Sequence, residues 1–270
     1  MSVAWVLNLG AEVELAGGVP TRALSNRADL WRRTMRFPDG HVVIDVDDES
    51  SGYGLEGRCW CPTPSALDRL RVSGASIPRA PPLEVIRRVN ERGFAQSLLA
   101  LHGSVRCTDV ESVRATVARG GRWLMIRGLS FAGRGQRRVD RGELGQPDEA
   151  WLSSALTTGA VYVLPRVEIE LEVSLHGFLN ETIEMGEVTV SEVDRHGQWR
   201  SSRLESGELD DDERRALRDT FERVADALRR AGYFGPFGLD AFRHGDGFHP
   251  LSEINTRYSM GWPVGMGGWR

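Results

Sequence analysis

The chain has 270 residues, of which 40% are hydrophobic and 27% are charged, and its formal net charge is −4. A chain of this length can bury a substantial core and divide into subdomains. It lacks the basic blocks that general nucleic-acid binding needs, and no segment is long and apolar enough for a membrane span. We therefore expect neither nucleic-acid nor membrane partners.

The basic residues share one property: all 34 are arginines, because the chain contains no lysine. This composition excludes Schiff-base and pyridoxal-phosphate enzymes and Walker-type phosphate loops, each of which needs a lysine. The three cysteines, Cys59, Cys61 and Cys107, show neither zinc-site spacing nor a disulfide framework. The start of the chain lacks the basic region of a signal peptide, so we predict a cytoplasmic protein.

The first part of the chain, residues 1–103, alternates strand and helix patterns. The predicted elements are strands at 4–7 and 41–46 and helices at 27–37, 63–70 and 82–92. Pro64 suits the first turn of its helix, and Gly93 is expected to end the helix that precedes it. This order favours an open α/β domain.

A glycine-rich segment follows a short apolar strand in the second part of the chain, residues 104–160. The strand Trp123–Arg127 ends in a cation, and the segment after it contains Gly128, Gly133 and Gly135. A cation and a glycine-rich turn at a strand end can direct positive charge and backbone N–H groups at phosphate. Most such turns between strands are structural, so this one predicts a phosphate loop only in combination with other motifs.

The third part, residues 161–270, opens with a β-rich run that Pro165 ends, followed by an alternation of acidic and apolar residues over 168–175. That alternation predicts an amphipathic strand. A helix is predicted over 211–231, because acidic residues fill its first turn and apolar residues recur along one face. The glycine-rich end of the chain carries Trp262 and Trp269, which favour partial order of the tail over disorder.

Two apolar runs flank a Gly-Asp-Gly turn at 245–247, which is a strong signal for a β-hairpin. If the turn spans 245–248, the antiparallel register sets Asp240 opposite Glu253, and Asn255 lies on the same side of the sheet. Carboxylate and amide oxygens suit Mg²⁺, which proteins usually hold with one or two carboxylates plus substrate phosphates. A surface hairpin with solvated acids is the alternative, although the apolar neighbours imply one buried face.

The hairpin also carries a family resemblance. The pattern Gly-x-x-Gly-x-x-Gly-x-Asp-x-Phe over 232–242, followed by Glu-Ile-Asn-Thr-Arg over 253–257, resembles the C-terminal signature of the ATP-grasp superfamily. With the phosphate loop and the strands around Pro165, the resemblance covers about residues 104–257, and its motifs stand in the family's order. It implies an α/β protein with the ATP-grasp fold. The implied parts are a short N-terminal preATP-grasp α/β domain (1–103), a small lid subdomain (104–160) and a larger C-terminal catalytic subdomain (161–270).

The resemblance implies residues that bind the metal and the phosphates. Asp240, Glu253 and Asn255 would bind the Mg²⁺ ions on ATP, and Arg257 would contact phosphate or a substrate carboxylate. Arg127 stands where the family has a lysine, in keeping with the absence of lysine from the chain. A guanidinium keeps a permanent charge and can bind two phosphate oxygens. The loop over the phosphates would be formed by Gly128, Gly133 and Gly135.

Further nucleotide contacts follow from the same resemblance. The adenine contacts would come from the segment that contains Leu164, Arg166 and Val167. Glu172 is the best match for the acid that bonds the ribose, with Glu168 and Glu170 as alternatives. Arg106 would match a second family lysine. An amphipathic strand with a charged outer face explains any single one of these glutamates equally well.

The implied activity is an ATP- and Mg²⁺-dependent ligation. A carboxylate is activated as an acylphosphate and coupled to an amine, with release of ADP and phosphate. The implied partners are small-molecule carboxylates and amines, including amino acids or peptide-like compounds, and a homodimer is compatible with them. Two alternatives stay open: a phosphotransferase on the same scaffold, and a non-catalytic nucleotide-binding or partner-binding module.

Overall fold

The computed structural model describes residues 2–19, 37–44, 51–129, 135–140, 142–193 and 199–269. Within these ranges the chain forms three β-sheets with helices packed against them. The elements in chain order are β1 (Val3–Val6), α1 (Ala11–Leu15), β2 (Val42–Val43), β3 (Glu56–Cys59), α2 (Pro64–Val72), α3 (Leu83–Asn90), α4 (Arg92–Leu98), β4 (Val105–Cys107), α5 (Val110–Val117), β5 (Trp123–Arg127), β6 (Gln136–Val139), α6 (Gln146–Leu156), β7 (Val161–Pro165), β8 (Ile169–Leu179), β9 (Ile183–Val193), β10 (Trp199–Leu204), α7 (Asp211–Arg230), β11 (Gly235–His244), β12 (Gly247–Asn255) and α8 (Trp262–Gly265).

The first sheet is three-stranded and parallel, in the order β2-β1-β3. Ala4 and Val6 of β1 pack with Ala66 and Leu70 of α2 in one apolar cluster. Parallel strands need crossover connections, and a covering helix is the arrangement expected of an open α/β domain. The helix predicted over 27–37 lies, apart from its last residue, outside the described residues.

The helix predicted over 82–92 is wrong at its end, because two helices occupy this region. α3 ends at Asn90, and Glu91 adopts an extended conformation with φ −71° and ψ 132°. The Glu91 side chain accepts a hydrogen bond from Gly93 N at 2.8 Å, so it caps α4. The break places Arg92 at the first position of α4, from which its side chain reaches Ser252 of β12.

The second sheet is four-stranded and antiparallel, in the order β4-β7-β5-β6. Helices α5 and α6 cover one of its faces, where Leu152 packs with Met125 and Val163. Strand β7 pairs with β4 and β5, so Val161–Pro165 is hydrogen-bonded within this sheet, and the chain changes sheet at 166–168. The predicted subdomain boundary precedes β7, and the division into subdomains stays a prediction.

The third sheet is five-stranded and antiparallel, in the order β10-β9-β8-β11-β12. Helix α7 begins with a capping box between Asp210 and Glu213, as its acidic start predicts. It packs its apolar face on the sheet, where Phe221 stacks on Phe237 with ring centroids 4.7 Å apart. One face of the sheet is therefore core, and the other face carries polar side chains. None of the helices in the described ranges is long and apolar enough to cross a membrane.

The hairpin of β11 and β12 keeps its predicted register where that register matters. The predicted pairing of Asp240 with Glu253 is confirmed. The predicted turn over 245–248 is wrong, because the strands pair up to Gly247 and the turn is two residues long. The register shifts back at a bulge beyond Asp240, on the segment of β12 that carries Pro250. Proline has no N–H to donate to the ladder and is typical of bulges, so the tight turn and the bulge compensate.

The end of the chain packs against the first sheet through aromatic side chains. Trp269 stacks on Phe37 with centroids 4.8 Å apart and meets Trp5 edge-on at 5.2 Å. Tyr258 makes edge contacts with both Trp5 and Trp262. The tryptophans therefore order the tail, as their presence in a glycine-rich sequence predicts.

Replacing Phe221 tests whether α7 carries the core of the third sheet. Because this side chain is fully buried, we expect Phe221→Ala to lower the free energy of unfolding by about 3–4 kcal/mol, from lost burial and the cavity left behind. Urea unfolding followed by circular dichroism measures the change. Glu222→Ala, at an exposed position of the same helix, is the control and should stay within about 0.5 kcal/mol of wild type. A loss below about 1 kcal/mol for Phe221→Ala would contradict this role of the helix.

Candidate functional site

One face of the five-stranded sheet collects acidic side chains. An added Cβ at Gly177 would lie 2.5 Å from the Phe221 ring, so Gly177 faces α7 and the even-numbered residues of β8 face the other way. Glu172 on β8 and Asp240 on β11 lie on that opposite face, and Glu253 on β12 is paired with Asp240. We call Glu172, Asp240 and Glu253 the carboxylate cluster.

Asp240 is the centre of the carboxylate cluster. Its carboxylate accepts hydrogen bonds from Ser174 Oγ at 2.6 Å and from Asn255 Nδ2 at 2.8 Å. Burial, followed by the charge of Glu253, raises the pKa of Asp240 to about 6. Burial, followed by the charges of Asp240 and Glu253, raises the pKa of Glu172 to about 7. The cluster therefore concentrates negative charge that its hydrogen bonds do not neutralise.

The oxygen atoms at and beside Asp240 suit Mg²⁺ as metal ligands. Asn255 uses its amide nitrogen on Asp240, so its carbonyl oxygen remains as a ligand atom. Together with the carboxylates of Asp240 and Glu253, it makes a set of hard oxygens. Within the described residues, no three His, Cys, Asp or Glu side chains form a metal-binding group by themselves. The set is of the incomplete kind that Mg²⁺ uses when substrate phosphates supply further ligands.

Arg92 is a cation of the site that the sequence analysis missed. Its guanidinium lies 3.6 Å from Glu253 Oε1 through Nη2 and donates through Nη1 to Ser252 O at 3.3 Å. The side chain is 11% exposed, and its buried Nε has no hydrogen-bond partner among the described residues. A buried donor without a partner is costly, so this arginine is poised for an anion. Because one continuous helix was predicted over 82–92, the break at Glu91, which directs Arg92 towards Glu253, was not expected.

The start of the predicted phosphate loop lies beside Arg92. Arg92 N donates to Gly128 O at 2.9 Å, and Tyr162 OH of the second sheet donates to Glu91 Oε1 at 2.7 Å. An added Cβ at Gly128 would lie 2.3 Å from Glu91 Oε1, so a larger residue would have to push this carboxylate away. Gly135 has φ 76°, a conformation that favours glycine. Gly133 lies outside the described residues.

The two predicted nucleotide arginines of the second sheet lie on opposite faces. Arg106 pairs with Tyr162 on β7 and shares its face, which is the face that reaches Glu91. Arg127 shares the helix-covered face of β5, where it donates to Ser154 Oγ at 3.1 Å and lies over the ring of Trp151 at 5.4 Å. The structure therefore brings Arg106 towards the site and holds the Arg127 side chain against α6.

The predicted adenine segment is the link between the second and third sheets. Leu164 pairs with Leu124 and lies on the same face of the second sheet as Tyr162. Arg166 donates through its backbone to Arg122 O at 2.9 Å, and its guanidinium forms an ion pair with Asp140. The segment is thus tied to the second sheet. The assignments of Leu164, Arg166 and Val167 to adenine, and of Glu172 to the ribose, stay predictions.

Arg257 lies just beyond Asn255 and is held by Glu12 of α1. Its Nε donates to Glu12 Oε1 at 2.6 Å, its Nη1 donates to Tyr258 O at 3.1 Å, and its guanidinium lies 5.8 Å from the Trp60 ring centroid. Glu12 is 6% exposed, and its Oε2 has no hydrogen-bond partner among the described residues. This buried pair joins α1 to the end of β12, a contact that no local sequence pattern signals.

A cavity of about 1160 Å³ lies further along the same face of the sheet, beyond the carboxylate cluster. Its walls come from β3, from the 76–81 segment, from the turn between β8 and β9 and from the tail. Phe178, Tyr258 and Trp262 are among its aromatic walls, and Arg79, whose guanidinium lies 5.4 Å from the ring centroid of Phe234, is among its charged ones. The cavity therefore offers aromatic contact next to the segment that carries Arg257, and its charged walls include both arginines (Arg58, Arg79) and glutamates (Glu56, Glu181, Glu184).

Comparisons with known proteins give the fold. No family model matches the chain, and no curated protein matches it. N5-carboxyaminoimidazole synthetase from Staphylococcus aureus is similar, with 11% identity, a TM-score of 0.58, and coverage of 100% of this chain and 78% of that one. D-alanyl-alanine synthetase A from Vibrio cholerae has 11% identity, a TM-score of 0.60, and coverage of 98% and 93%. Biotin carboxylase from Campylobacter jejuni has 14% identity, a TM-score of 0.62, and coverage of 97% and 67%. At these identities the likeness shows the fold alone.

Asp240→Asn tests the electrostatic strain of the carboxylate cluster. Because the pKa of Asp240 is raised to about 6, the folded state binds more protons than the unfolded state above the ordinary Asp pKa. Stability should therefore fall as pH rises from about 4 to about 7. Removing the charge should stabilise the variant by about 1–3 kcal/mol at pH 8 and by little at pH 4. Urea unfolding at both pH values measures the change in the free energy of unfolding. Asp246→Asn, at an exposed position, is the control. Equal effects of Asp240→Asn at pH 4 and pH 8 would contradict a destabilising charge on Asp240.

Proposed function

We propose that this chain, which has the ATP-grasp fold, is an ATP- and Mg²⁺-dependent ligase that couples a carboxylate to an amine and releases ADP and phosphate. The observation that carries the proposal is the carboxylate cluster, whose burial and mutual repulsion raise the pKa values of Asp240 and Glu172 and would be offset by a bound cation. The Staphylococcus aureus synthetase was solved with ADP, and the Campylobacter jejuni carboxylase in a β,γ-ATP complex, which supports nucleotide binding by a chain of this fold.

The residues that would hold Mg²⁺ are Asp240, Glu253 and Asn255. Bound there, Mg²⁺ would offset the charge of the triphosphate and of the transferring phosphoryl group. Arg92, whose Nη2 lies beside Glu253 and whose Nε has no hydrogen-bond partner among the described residues, would bind a phosphate oxygen from the side of α4. Glu172 stands two residues before Ser174 on the same face, where it would accept from or donate to a ribose hydroxyl.

The remaining arginines would complete the phosphate site. Arg106 faces it from the second sheet, and Arg257 stands at its far end, held by Glu12. Arg127 ends the strand that leads into the glycine loop, but its side chain lies on the helix-covered face, so it would reach the phosphates only if the end of β5 rearranged when nucleotide binds. Preorganised cations of this kind stabilise the charge that develops as the phosphoryl group is transferred.

The proposed chemistry needs no side-chain nucleophile. A substrate carboxylate oxygen bonds to the γ-phosphorus while the bond to ADP breaks, and ADP leaves with the electron pair. The amine nitrogen then bonds to the acyl carbon, and phosphate leaves with the electrons of the carbon–oxygen bond. The second sheet, which touches the site through Tyr162 and Glu91, would cover the acylphosphate and exclude water that would hydrolyse it.

We assign the carboxylate or amine substrate to the cavity beyond Asn255. At about 1160 Å³ it exceeds what a single small amino acid fills, since pockets for drug-sized ligands run to about 1,000 Å³. Its size and aromatic walls favour a peptide-like or other extended substrate. Tyr258 lines this cavity and follows Arg257 directly, so the cavity adjoins the phosphate end of the site.

One pair of observations favours a second candidate, a nucleotide-binding module without transfer. The Arg127 side chain is engaged with α6, and Arg257 is engaged with Glu12. If both contacts persist with nucleotide bound, fewer cations remain for a transition state. ADP release that depends on a carboxylate and an amine separates the ligase from this module.

Mg²⁺-dependent ATP binding tests the metal assignment. We expect ATP to raise the melting temperature only when Mg²⁺ is present, because the carboxylate cluster repels the triphosphate without it. Asp240→Asn and Glu253→Gln should lose this shift and the release of ADP while remaining folded. Asp246→Asn, on the same hairpin but with a side chain 95% exposed, should behave as wild type. A normal Mg·ATP shift in either cluster variant would remove those residues from the metal site.

Alanine substitutions test the two phosphate arginines separately. Arg92→Ala and Arg127→Ala should each weaken Mg·ATP binding by more than tenfold, about 1.4 kcal/mol, whereas Arg127→Lys should keep most of the affinity. Calorimetry measures the Kd. Arg114→Ala, which removes an exposed arginine paired with Glu149 on the second sheet's helices, is the matched control. An unchanged Kd in Arg127→Ala would mean that Arg127 keeps its contact with α6 when nucleotide binds.

A further inference from the structure

A serine and a histidine lie in contact beside the proposed metal ligands, and neither has a role in the proposed ligase chemistry. His176 follows Ser174 by two residues on β8 and lies on the same face as the carboxylate cluster. Its Nε2 lies 2.7 Å from Ser259 Oγ, on the segment just after Arg257. His176 is 2% exposed, and its Nδ1 has no hydrogen-bond partner among the described residues.

Close packing fixes the imidazole in one orientation. An added Cβ would lie 3.1 Å from His176 Cδ2 at Gly238, 2.8 Å from Cε1 at Gly261 and 2.9 Å from Nδ1 at Gly265. Three glycines from two parts of the chain therefore let backbone close around the ring. Since the ring cannot turn away, its Nε2 stays directed at Ser259.

The surroundings of the ring select its protonation state. Burial lowers the pKa of His176 to about 4, so the imidazole is neutral at physiological pH. In the neutral ring one nitrogen donates and the other accepts. A buried N–H without an acceptor is rarer than an acceptor without a donor, so the proton belongs on Nε2, which has a partner. His176 then donates to Ser259 Oγ, and the Ser259 hydroxyl proton is free to point elsewhere.

The free hydroxyl adjoins the reacting end of the site. His176 is paired with Gly238, and Gly238 is paired on its other side with Asn255. Because Gly238 has no side chain, the His176 ring lies over it and stands beside Asn255 on the next strand. On this face His176 lies between Ser174, which contacts Asp240, and Phe178, which lines the cavity, and Ser259 contacts it there.

We propose that Ser259 is a catalytic residue that donates a hydrogen bond to an oxygen of the substrate carboxyl group, and that His176 is the positioning residue that orients it. The inference rests on the proposed ligase function. When the amine attacks the acylphosphate, the carbonyl electrons move onto the oxygen and the carbon–oxygen bond to phosphate then breaks. Ser259 stabilises that oxygen without transferring its proton, and the amine proton leaves to solvent.

Four variants test this pair in an assay of ADP release from Mg·ATP with amino acids and dipeptides as carboxylates and amines. Ser259→Ala should lower kcat at least tenfold and leave the Mg·ATP thermal shift unchanged, whereas Ser259→Thr keeps the hydroxyl and should keep most of the rate. His176→Gln can present an amide N–H in place of Nε2 and should also keep most of it. His176→Leu should fall to the level of Ser259→Ala. Ser97→Ala, at an exposed site on α4, is the control.

The pH profile separates hydrogen-bond donation from base catalysis. The ratio of wild-type to Ser259→Ala rates should stay constant from pH 6 to 9, roughly, because His176 does not titrate there. A ratio that changes over this range would overturn the donor role, and so would full activity in Ser259→Ala while wild type turns over. Wild type without ADP release, with or without a Mg·ATP shift, would overturn the proposed ligase and this inference with it.

Discussion

One face of the five-stranded sheet holds three carboxylates close enough to repel one another, and the rest of the structure has to offset that repulsion. Glu172, Asp240 and Glu253 lie on adjacent strands, and the raised pKa values of the first two express the cost of burying them, followed by the cost of holding them beside one another. The rest of the fold must offset both costs. Strands β8, β11 and β12 hold the carboxylates in place, and α7 on the opposite face anchors these strands with a closely packed apolar core.

The other parts of the molecule are arranged around that charge. The break between α3 and α4 presents Arg92 to Glu253, and the second sheet reaches the same point through Tyr162 and Glu91. Helix α1 supplies Glu12, which holds Arg257 just beyond the end of β12. Cations thus approach the carboxylates from two elements distant in sequence. This is the arrangement that a site for a metal-bound, polyanionic nucleotide needs.

Sequence patterns within a single hairpin or helix predicted the parts of this site that short-range pairing determines. The ATP-grasp resemblance is confirmed at the level of the fold, and the pairing of Asp240 with Glu253 follows from a hairpin pattern of period two. The turn was placed two residues too wide, and a bulge beyond Asp240 restores the predicted pairing of Asp240 with Glu253. A register argument from sequence assumes regular pairing and so cannot predict either feature. Arg92 was missed because the helix pattern runs through Glu91, and the contact of Ser259 with His176 spans 83 positions, so no window of sequence contains it.

Counting the protons released on binding tests whether the carboxylate cluster binds a metal-bound nucleotide. At pH 6.5, roughly, Asp240 and Glu172 are partly protonated, and a divalent cation beside them would lower both pKa values. Calorimetric titration of Mg·ATP in buffers of different ionisation enthalpy counts the protons. We expect net proton release at that pH, which disappears near pH 8.5, roughly, and shrinks in Asp240→Asn. Binding without proton release, or binding that does not need Mg²⁺, would contradict this role of the carboxylate cluster.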